Sequence, residues 1–329
     1  MRNIVTQALR GLIACTVLWA ASVAQAQTPS QAFPSRPVHI TTPFSAGAVP
    51  EVMLRAVADR LQRKWGQPVI IDNRPGGHGF IAIGAFKRGA PDGHDLIQLD
   101  SLHLTGYQHM FKKLPYDPAK DFEPLAPLMR TSFFVLTSSN GKYKSLGDIL
   151  AAARAKPGKL NYGSWGVGNP VHLGTAVLTT LTNTEMQHVV YKDANVLYAD
   201  VSTGQVDFAL GTLAAVRAFS GRLVPLAVAA PQRHADAPNV PTVIEAGGPA
   251  GYEASGWLLL AAPKGVSPAV AVQIRRDVEE ALAHPDVAAI FASAGYEPFT
   301  LSPAALRAYI AAETARYAEL IGKTKIEMD

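Results

Sequence analysis

Short apolar runs alternate with amphipathic segments along most of this chain. Residues 50–64 are typical of a helix, because apolar side chains recur there every three or four positions with charged side chains between them. Residues 254–262 form an apolar run long enough to cross between two sheets, and the chain after it is mainly helical. The runs that predict buried strands lie at residues 38–44, 69–71, 96–99, 133–137, 188–191, 206–210 and 224–229. This alternation predicts an α/β fold with mostly parallel sheets.

Composition adds size and charge to this picture. The chain has 329 residues, of which 48% are hydrophobic, so it can bury a substantial core, and its length favours two globular units. The formal net charge is only +4, and no stripe of Lys and Arg with interleaved aromatic residues occurs in the sequence. The sequence therefore predicts no nucleic-acid partner.

The N-terminus has the pattern of a signal peptide. Arg2 and Arg10 form a short basic region, residues 12–24 are apolar, and residues 24–26 have the small-x-small pattern of a signal-peptidase site. The apolar run is shorter than the roughly 20 residues that span a membrane. We therefore expect residues 1–26 to be removed by cleavage after Ala26 and the mature protein to be periplasmic.

Cys15 offers an alternative, since residues 12–15 resemble a lipobox. A lipid-anchored protein needs an apolar run before that cysteine, but Arg10 and Gly11 interrupt the run here. Both processing routes take the protein out of the cytoplasm. Cys15 is the only cysteine, so after cleavage the protein has no disulfide and no thiol chemistry.

Two predicted strands end in glycine-rich loops that open a helix with a proline. The first loop spans residues 43–50 and contains Gly47, and the second spans residues 163–170 and contains Gly168. Such loops leave backbone N–H groups free at a helix N-terminus, where the helix dipole favours an anion. If the two loops face each other across a cleft, they can grip a carboxylate. The alternative is that these turns only connect strands to helices.

A third loop, at residues 73–79, also follows a strand and is a candidate for lining the same cleft. Arg74 in this loop is either a partner for an anion or a solvated structural arginine. The sequence leaves both interpretations open.

Catalytic and cofactor motifs are missing from the sequence. Ser164 is not in a nucleophile elbow, because Tyr162 stands where that motif needs glycine, and no dinucleotide or phosphate-binding loop occurs. The histidines include no pair with metal-ligand spacing on a helix, and His172 and His188 are better explained by packing or hydrogen bonding than as bases. We therefore expect no enzymatic activity, no cofactor and no metal.

Many short segments, read in order, resemble the substrate-binding proteins of tripartite tricarboxylate transporters, also called the Bordetella uptake gene family. The resemblance runs from about Phe33 to the C-terminus. The matching segments are residues 33–37, 43–47, 73–76, 90–94, 116–122, 156–164, 188–192, 204–207, 240–247 and 251–253.

This resemblance implies a two-lobed periplasmic binding fold of the type II-like clamshell class. Each lobe would be a mostly parallel sheet flanked by helices, with the ligand cleft between the lobes. Lobe 1 would comprise residues 33–133 and 255–329, and lobe 2 residues 134–254.

The resemblance also implies a ligand site. Members of this family hold carboxylates largely through loop amides, small hydroxyls and ordered water. The residues carried over to this chain are Phe44, Ser45, Ala46, Gly47, Ala48, Gly76, Gly77, Ser164, Gly166 and Asn169.

Three positions depart from the family's usual loops. Ala48 and Glu51 stand where the family usually has glycine and aspartate, and Asp193 replaces a glycine. One hypothesis is that Asp193 disfavours a purely anionic ligand and favours one with a cationic or hydrogen-donating group. The alternative is that Asp193 caps the helix that begins there.

The expected function follows from the resemblance. A monomeric solute-binding protein would capture a small carboxylate (a di- or tricarboxylate, an amino acid or an aromatic acid) and deliver it to membrane permease subunits. The alternative is a periplasmic ligand sensor whose closed form is presented to a sensor kinase or chemoreceptor.

Overall fold

The structure is a computed structural model that describes residues 33–324 and 326–328. The predicted signal peptide and Cys15 lie outside the described residues. From Arg36 onward the chain forms one compact unit. Within the described residues, no helix is both long and apolar enough to cross a membrane.

The strands form two sheets. They are β1 (Val38–Thr42), β2 (Val69–Asn73), β3 (Asp95–Asp100), β4 (Phe122–Ser132), β5 (Phe134–Ser138), β6 (Asn161–Ser164), β7 (Gln187–Val190), β8 (Phe208–Gly211), β9 (Leu223–Val228), β10 (Ser255–Pro263) and β11 (Glu297–Pro298). The first sheet has the order β11-β4-β10-β3-β1-β2, and the second has the order β7-β6-β8-β5-β9.

Helices flank both sheets. They are α1 (Val49–Trp65), α2 (Phe80–Phe86), α3 (Ser101–Leu104), α4 (Tyr107–Met110), α5 (Pro118–Asp121), α6 (Leu146–Ala155), α7 (Pro170–Leu181), α8 (Ala194–Thr203), α9 (Leu213–Ala218), α10 (Pro268–Leu282), α11 (Pro285–Ser293) and α12 (Pro303–Thr324). A short 3₁₀ turn, Gly77–Gly79, precedes α2.

The expectation of mostly parallel sheets is wrong in detail, because both sheets are mixed. Strand β1 pairs in parallel with β2 and β3, whereas β10 lies antiparallel between β3 and β4. In the second sheet β6 is parallel to β7 and β8, whereas β5 is antiparallel to β8 and β9. Strands β5 and β10 each enter from the other sheet rather than through a helical crossover on their own sheet. They are therefore free to run against their neighbours.

The chain passes between the sheets at one place. Only Phe133 separates β4 from β5, and its N–H donates to the carbonyl of Ala254, just before β10, at 3.0 Å. Ala229 N–H donates to Phe133 O at 2.8 Å, and Ala254 N–H donates to Ala229 O at 2.9 Å. Three hydrogen bonds thus join the outgoing and returning segments side by side.

The C-terminal helix spans both halves of the molecule. Helix α12 follows strands of the first sheet but packs against α7, which belongs to the second. Tyr317 and Ile321 of α12 share a buried cluster with Val177 and Leu178 of α7 and with Tyr107 of α4. The contacts of α12 therefore extend beyond the first sheet.

Candidate functional site

The first loop connects β1 to α1 and is held at both ends. Phe44 N–H donates to Thr42 Oγ1 at 3.3 Å, and Asn73 Nδ2 donates to Phe44 O at 3.0 Å. Gly47 has φ +80°, a left-handed conformation that glycine adopts without strain. Ser45 and Ala46 are exposed, and in the described residues their N–H groups have no protein acceptor.

Glu51 supports this loop from below. Its side chain is buried, and its carboxylate accepts hydrogen bonds from Gly47 N–H at 3.0 Å and from Arg55 Nε at 3.0 Å. Burial alone would raise the pKa of Glu51, but these hydrogen bonds and the Arg55 charge outweigh burial and lower the pKa. Glu51, which stands where the family usually has aspartate, therefore fixes Gly47, and both of its carboxylate oxygens have hydrogen-bond partners.

The third loop, residues 73–79, follows β2 and is called the second-strand loop below. It has an unusual backbone. Gly76, Gly77, His78 and Gly79 have φ values of +106°, +55°, +53° and +82°, so four successive residues lie in the region that glycine favours. Within the described residues, the N–H groups of Gly76 and Gly77 have no protein acceptor. Ile81 covers this turn, since a β-carbon added at Gly76 would lie 3.3 Å from its Cδ1.

His103 fixes the end of that turn. Its Nε2 lies 3.0 Å from the carbonyl oxygen of His78, which can only accept, so Nε2 carries the proton. Its Nδ1 lies beside Asp100, whose carboxylate caps α3. A β-carbon at Gly79 would lie 2.1 Å from His103 Nε2, so glycine is required there for space as well as for φ. No motif in the sequence indicates this pair.

Arg74 remains unassigned. Its side chain is exposed and makes no hydrogen bond or ion pair within the described residues. It lines a charged cavity of about 290 Å³ along β1 and β2, together with Arg36, Arg88 and Asp72. This placement is compatible with both interpretations left open by the sequence.

The second loop, residues 163–170, connects β6 to α7 and is called the Gly-Ser loop below. Ser164 is the last residue of β6 and lies at the start of this loop. The Ser164 hydroxyl is buried, donates to Gly166 O at 2.8 Å and lies 2.7 Å from His188 Nε2. Because the hydroxyl has a single proton, His188 Nε2 must donate to it. In this conformation Ser164 positions Gly166, and a direct contact with a solute would require the loop to change.

Asn169 carries an unused donor. Its Oδ1 accepts from His172 N–H at 2.8 Å and so caps α7, but its buried Nδ2 has no partner among the residues that the structure describes. A β-carbon at Gly166 would lie 3.5 Å from Nδ2, so the amide points towards the loop backbone. A buried donor without a partner costs about 1–3 kcal/mol. Such a cost is expected where a ligand completes the hydrogen bond.

Two stacked histidines support the same loop. The rings of His172 and His188 are 4.0 Å apart at 12°, and the ring of Tyr162 stacks with that of His188 at 5.0 Å. His172 Nδ1 accepts from Gly168 N–H at 3.0 Å. Burial, assisted by His188, lowers the pKa of His172 to about 4, and burial also lowers the pKa of His188. Both rings are therefore neutral hydrogen-bonding groups at neutral pH.

Asp193 caps α8. Its Oδ1 accepts from Asn195 N–H at 2.7 Å and from Val196 N–H at 3.1 Å. The structure thus provides the capping contacts of the second hypothesis, while Asp193 itself remains exposed. Tyr191 N–H donates to Ser164 O at 2.9 Å, so the Asp193 turn lies beside the Gly-Ser loop.

The loops are joined into one region by the C-terminal segment. The ring of His78 lies 5.5 Å from that of Phe111, and Phe111 forms a parallel bridge with Met328. Met328 Sδ fills the space beside Gly168, where a β-carbon would lie only 2.2 Å away. Loops from the two sheets therefore contact a shared layer of side chains, which the sequence patterns did not indicate.

These loops carry further hydrogen-bond donors without protein partners. In the described residues, Trp165, Gly166 and Val167 have N–H groups without protein acceptors, as do the residues noted above in the other two loops. Nor do those residues contain a cluster of three or more His, Cys, Asp or Glu side chains suited to a metal ion. Such an arrangement can bind an anion through backbone dipoles.

Comparison with known proteins identifies similar sequences and folds. Residues 53–326 match the profile of a family described as "Tripartite tricarboxylate transporter family receptor". Protein BugT of Bordetella pertussis is 30% identical over 302 residues, which cover 91% of this chain and 92% of BugT.

Two solved structures are similar as well. An R. palustris protein solved with adipate is 28% identical with a TM-score of 0.81, covering 90% of this chain and 99% of that protein. MatC from Rhodopseudomonas palustris, solved with bound malate, is 26% identical with a TM-score of 0.77, covering 88% of this chain and 100% of MatC.

Proposed function

Because this chain belongs to the family of tripartite tricarboxylate transporter receptors, we propose that it binds a small carboxylate and presents it to a transporter of that type. Membership of this family confirms the resemblance seen in the sequence. The two helix-flanked sheets and the similar solved structures confirm the two-lobed α/β fold class. Family members are substrate-binding receptors, and we propose that this chain likewise has no catalytic activity.

The observation that carries this proposal is the set of unpaired donors on three loops. Backbone N–H groups of the first loop, the second-strand loop and the Gly-Ser loop lack acceptors in the described residues, and buried Asn169 Nδ2 lacks one too. A carboxylate offers about four lone-pair sites and satisfies several such donors together. Two relatives solved with adipate and malate support a carboxylate ligand.

We assign the ligand contacts to backbone dipoles rather than to charged side chains. The contacts come from Ser45, Ala46, Gly76, Gly77 and the Gly-Ser loop, with Asn169 as the side-chain donor. Glu51 and Asp193 act indirectly, since the carboxylate of each accepts hydrogen bonds that shape a loop or a helix start. Residues 134–254 would move as lobe 2 against the rest when the cleft closes.

The cellular setting is proposed from the sequence and the family. The receptors of this family are periplasmic, and we propose export with cleavage after Ala26. The partner would be the membrane permease subunits of the transporter, and the receptor would act as a monomer.

A thermal-shift screen tests the proposed function. Mono-, di- and tricarboxylates, amino acids and aromatic acids are added separately to the mature protein. A ligand present at a hundredfold excess over its dissociation constant should stabilise the fold by about 2.7 kcal/mol and raise the melting temperature. Matched uncharged amides of the same acids serve as controls. If no carboxylate raises the melting temperature above its amide, the proposed function is wrong.

A further inference from the structure

Large apolar side chains are exposed at the same loops that carry the free donors. In the described residues eleven valine, isoleucine and leucine side chains are exposed, and five of them lie on the four loop–helix junctions around the candidate site. The five are Val49, Val52, Ile81, Val167 and Val196, which are 42%, 44%, 55%, 43% and 53% exposed. The remaining six are spread over other helices, loops and sheet edges. Exposed apolar area is therefore concentrated where the solute is expected.

Each of these side chains lies on one of these loops or in the first turn of the helix that follows it. Val49 follows Ala48 directly at the start of α1, and Val52 lies one turn further on the same helical face. Ile81 lies over Gly76, and Val167 belongs to the Gly-Ser loop itself. Val196 is in the first turn of α8, which Asp193 caps. Both sheets contribute to the set.

From this juxtaposition we propose that the solute is a carboxylate with an apolar body, such as an alkyl chain or an aromatic ring of about four or more carbons. The free N–H groups bind its carboxylate, and the five apolar side chains cover its body. This inference rests on the proposed function and specifies the ligand class within it.

The chemistry of the loops favours such a solute over a short hydroxylated acid. Each hydroxyl of a small hydroxy acid needs a hydrogen-bonding partner when it is buried. All five large hydrophobic side chains exposed at these junctions are valine or isoleucine, and the hydroxyl of Ser164 is already used internally. An apolar body has no hydrogen bonds to water to lose when it is buried against valine and isoleucine. Each buried methylene strengthens binding roughly fourfold.

A calorimetric titration with two groups of probes tests the ligand class. Adipate, hexanoate and phenylacetate have apolar bodies, whereas succinate, malate and citrate are short or hydroxylated. We expect at least one probe of the first group to bind at least about tenfold more tightly than every probe of the second. If a short or hydroxylated acid binds as tightly as the tightest-binding apolar probe, the inference is wrong and the proposed function stands. If none of the six binds, the inference is wrong, and the thermal-shift screen decides whether the proposed function stands.

Isosteric variants test the residues. Val49→Thr and Val167→Thr keep the side-chain shape but replace a methyl with a hydroxyl, and Val272→Thr on α10, where Val272 is 62% exposed, is the matched control. Each loop variant should lower the affinity for the tightest-binding apolar probe about three- to tenfold, and the control variant should leave that affinity unchanged. Unchanged affinity in both loop variants overturns the inference. An equal loss for succinate also overturns it, because the side chains then serve lobe closure instead.

Discussion

At the scale of single residues, neutral groups position the Gly-Ser loop. His188 donates to Ser164, Ser164 donates to Gly166 O, and His172 accepts from Gly168 N–H. Each bond uses an uncharged donor and acceptor, and stacking between the two imidazoles excludes water from one face of each ring. Protonating His172 would place a charge in this stack and remove the acceptor for Gly168.

The folded protein should therefore lose stability in acid through His172. The pKa of His172 is about 4 in the folded protein, against 6.5 for an ordinary histidine such as that of the unfolded chain. Between these two pH values His172 is therefore protonated in the unfolded chain and neutral in the folded protein. Stability is then present above pH 6.5 and is lost as the pH falls towards 4. In urea unfolding at pH 7.5 and 4.5, the loss should be smaller in His172→Asn by at most about 2 kcal/mol.

The asparagine in this variant keeps an acceptor for Gly168 N–H without a titrating ring. Carboxylates titrate in both proteins, so their contribution cancels in the difference. Equal acid losses in the two proteins would show that His172 is not buried as the structure has it.

At the scale of elements, helix starts differ in how much of the N-terminus is available. Helix α8 is capped by the carboxylate of Asp193 and α7 by Oδ1 of Asn169. Helix α1 begins at Val49 after the N-cap residue Ala48, which has no capping side chain, and the carboxylate of Glu51 in its first turn accepts from Gly47 N–H instead. Within the described residues, the buried Nδ2 of Asn169 beside α7 is thus a side-chain donor available to an anion at these junctions.

The C-terminal segment should stabilise the Gly-Ser loop through Met328. Gly168 has φ +74°, and an added β-carbon would meet Met328 Sδ at 2.2 Å. Gly204 at the end of α8 has φ +80° with no heavy atom within 4 Å, so it reports the backbone strain alone. In denaturant unfolding, Gly168→Ala should lose about 1–3 kcal/mol more than Gly204→Ala.

Most of the additional loss should disappear when Gly168→Ala is made in a Met328→Ala background, because the clash with Met328 is then absent and only the contact with Met110 Cε at 3.1 Å remains. If Gly168→Ala and Gly204→Ala are equally destabilising, the segment does not pack against the loop.

At the scale of the whole molecule, the sequence predicts the fold class better than it predicts strand direction or hydrogen-bond roles. The loop–helix junctions follow from local patterns of Gly, Pro and capping residues, as at Gly47 and Asp193. The sequence of an apolar run such as β10 does not indicate whether the strand is parallel or antiparallel to its neighbours. Its antiparallel insertion therefore depends on tertiary contacts at Phe133. The burial of Ser164 and the position of Met328 are likewise set by residues far away in sequence.

The central claim is that uncharged donors on loops from both halves of the molecule hold a carboxylate. Asn169→Asp tests it most directly, since aspartate caps a helix as well as asparagine but replaces the free Nδ2 donor with an anionic oxygen. Ser267→Asp is the matched control, because Ser267 caps α10 and the change adds the same charge at a helix start.

The measurement is a calorimetric titration of the three proteins with the carboxylate that most stabilises the wild type. We predict that Asn169→Asp lowers its affinity by at least about tenfold, while Ser267→Asp binds as the wild type does. Undiminished affinity in Asn169→Asp would contradict the account.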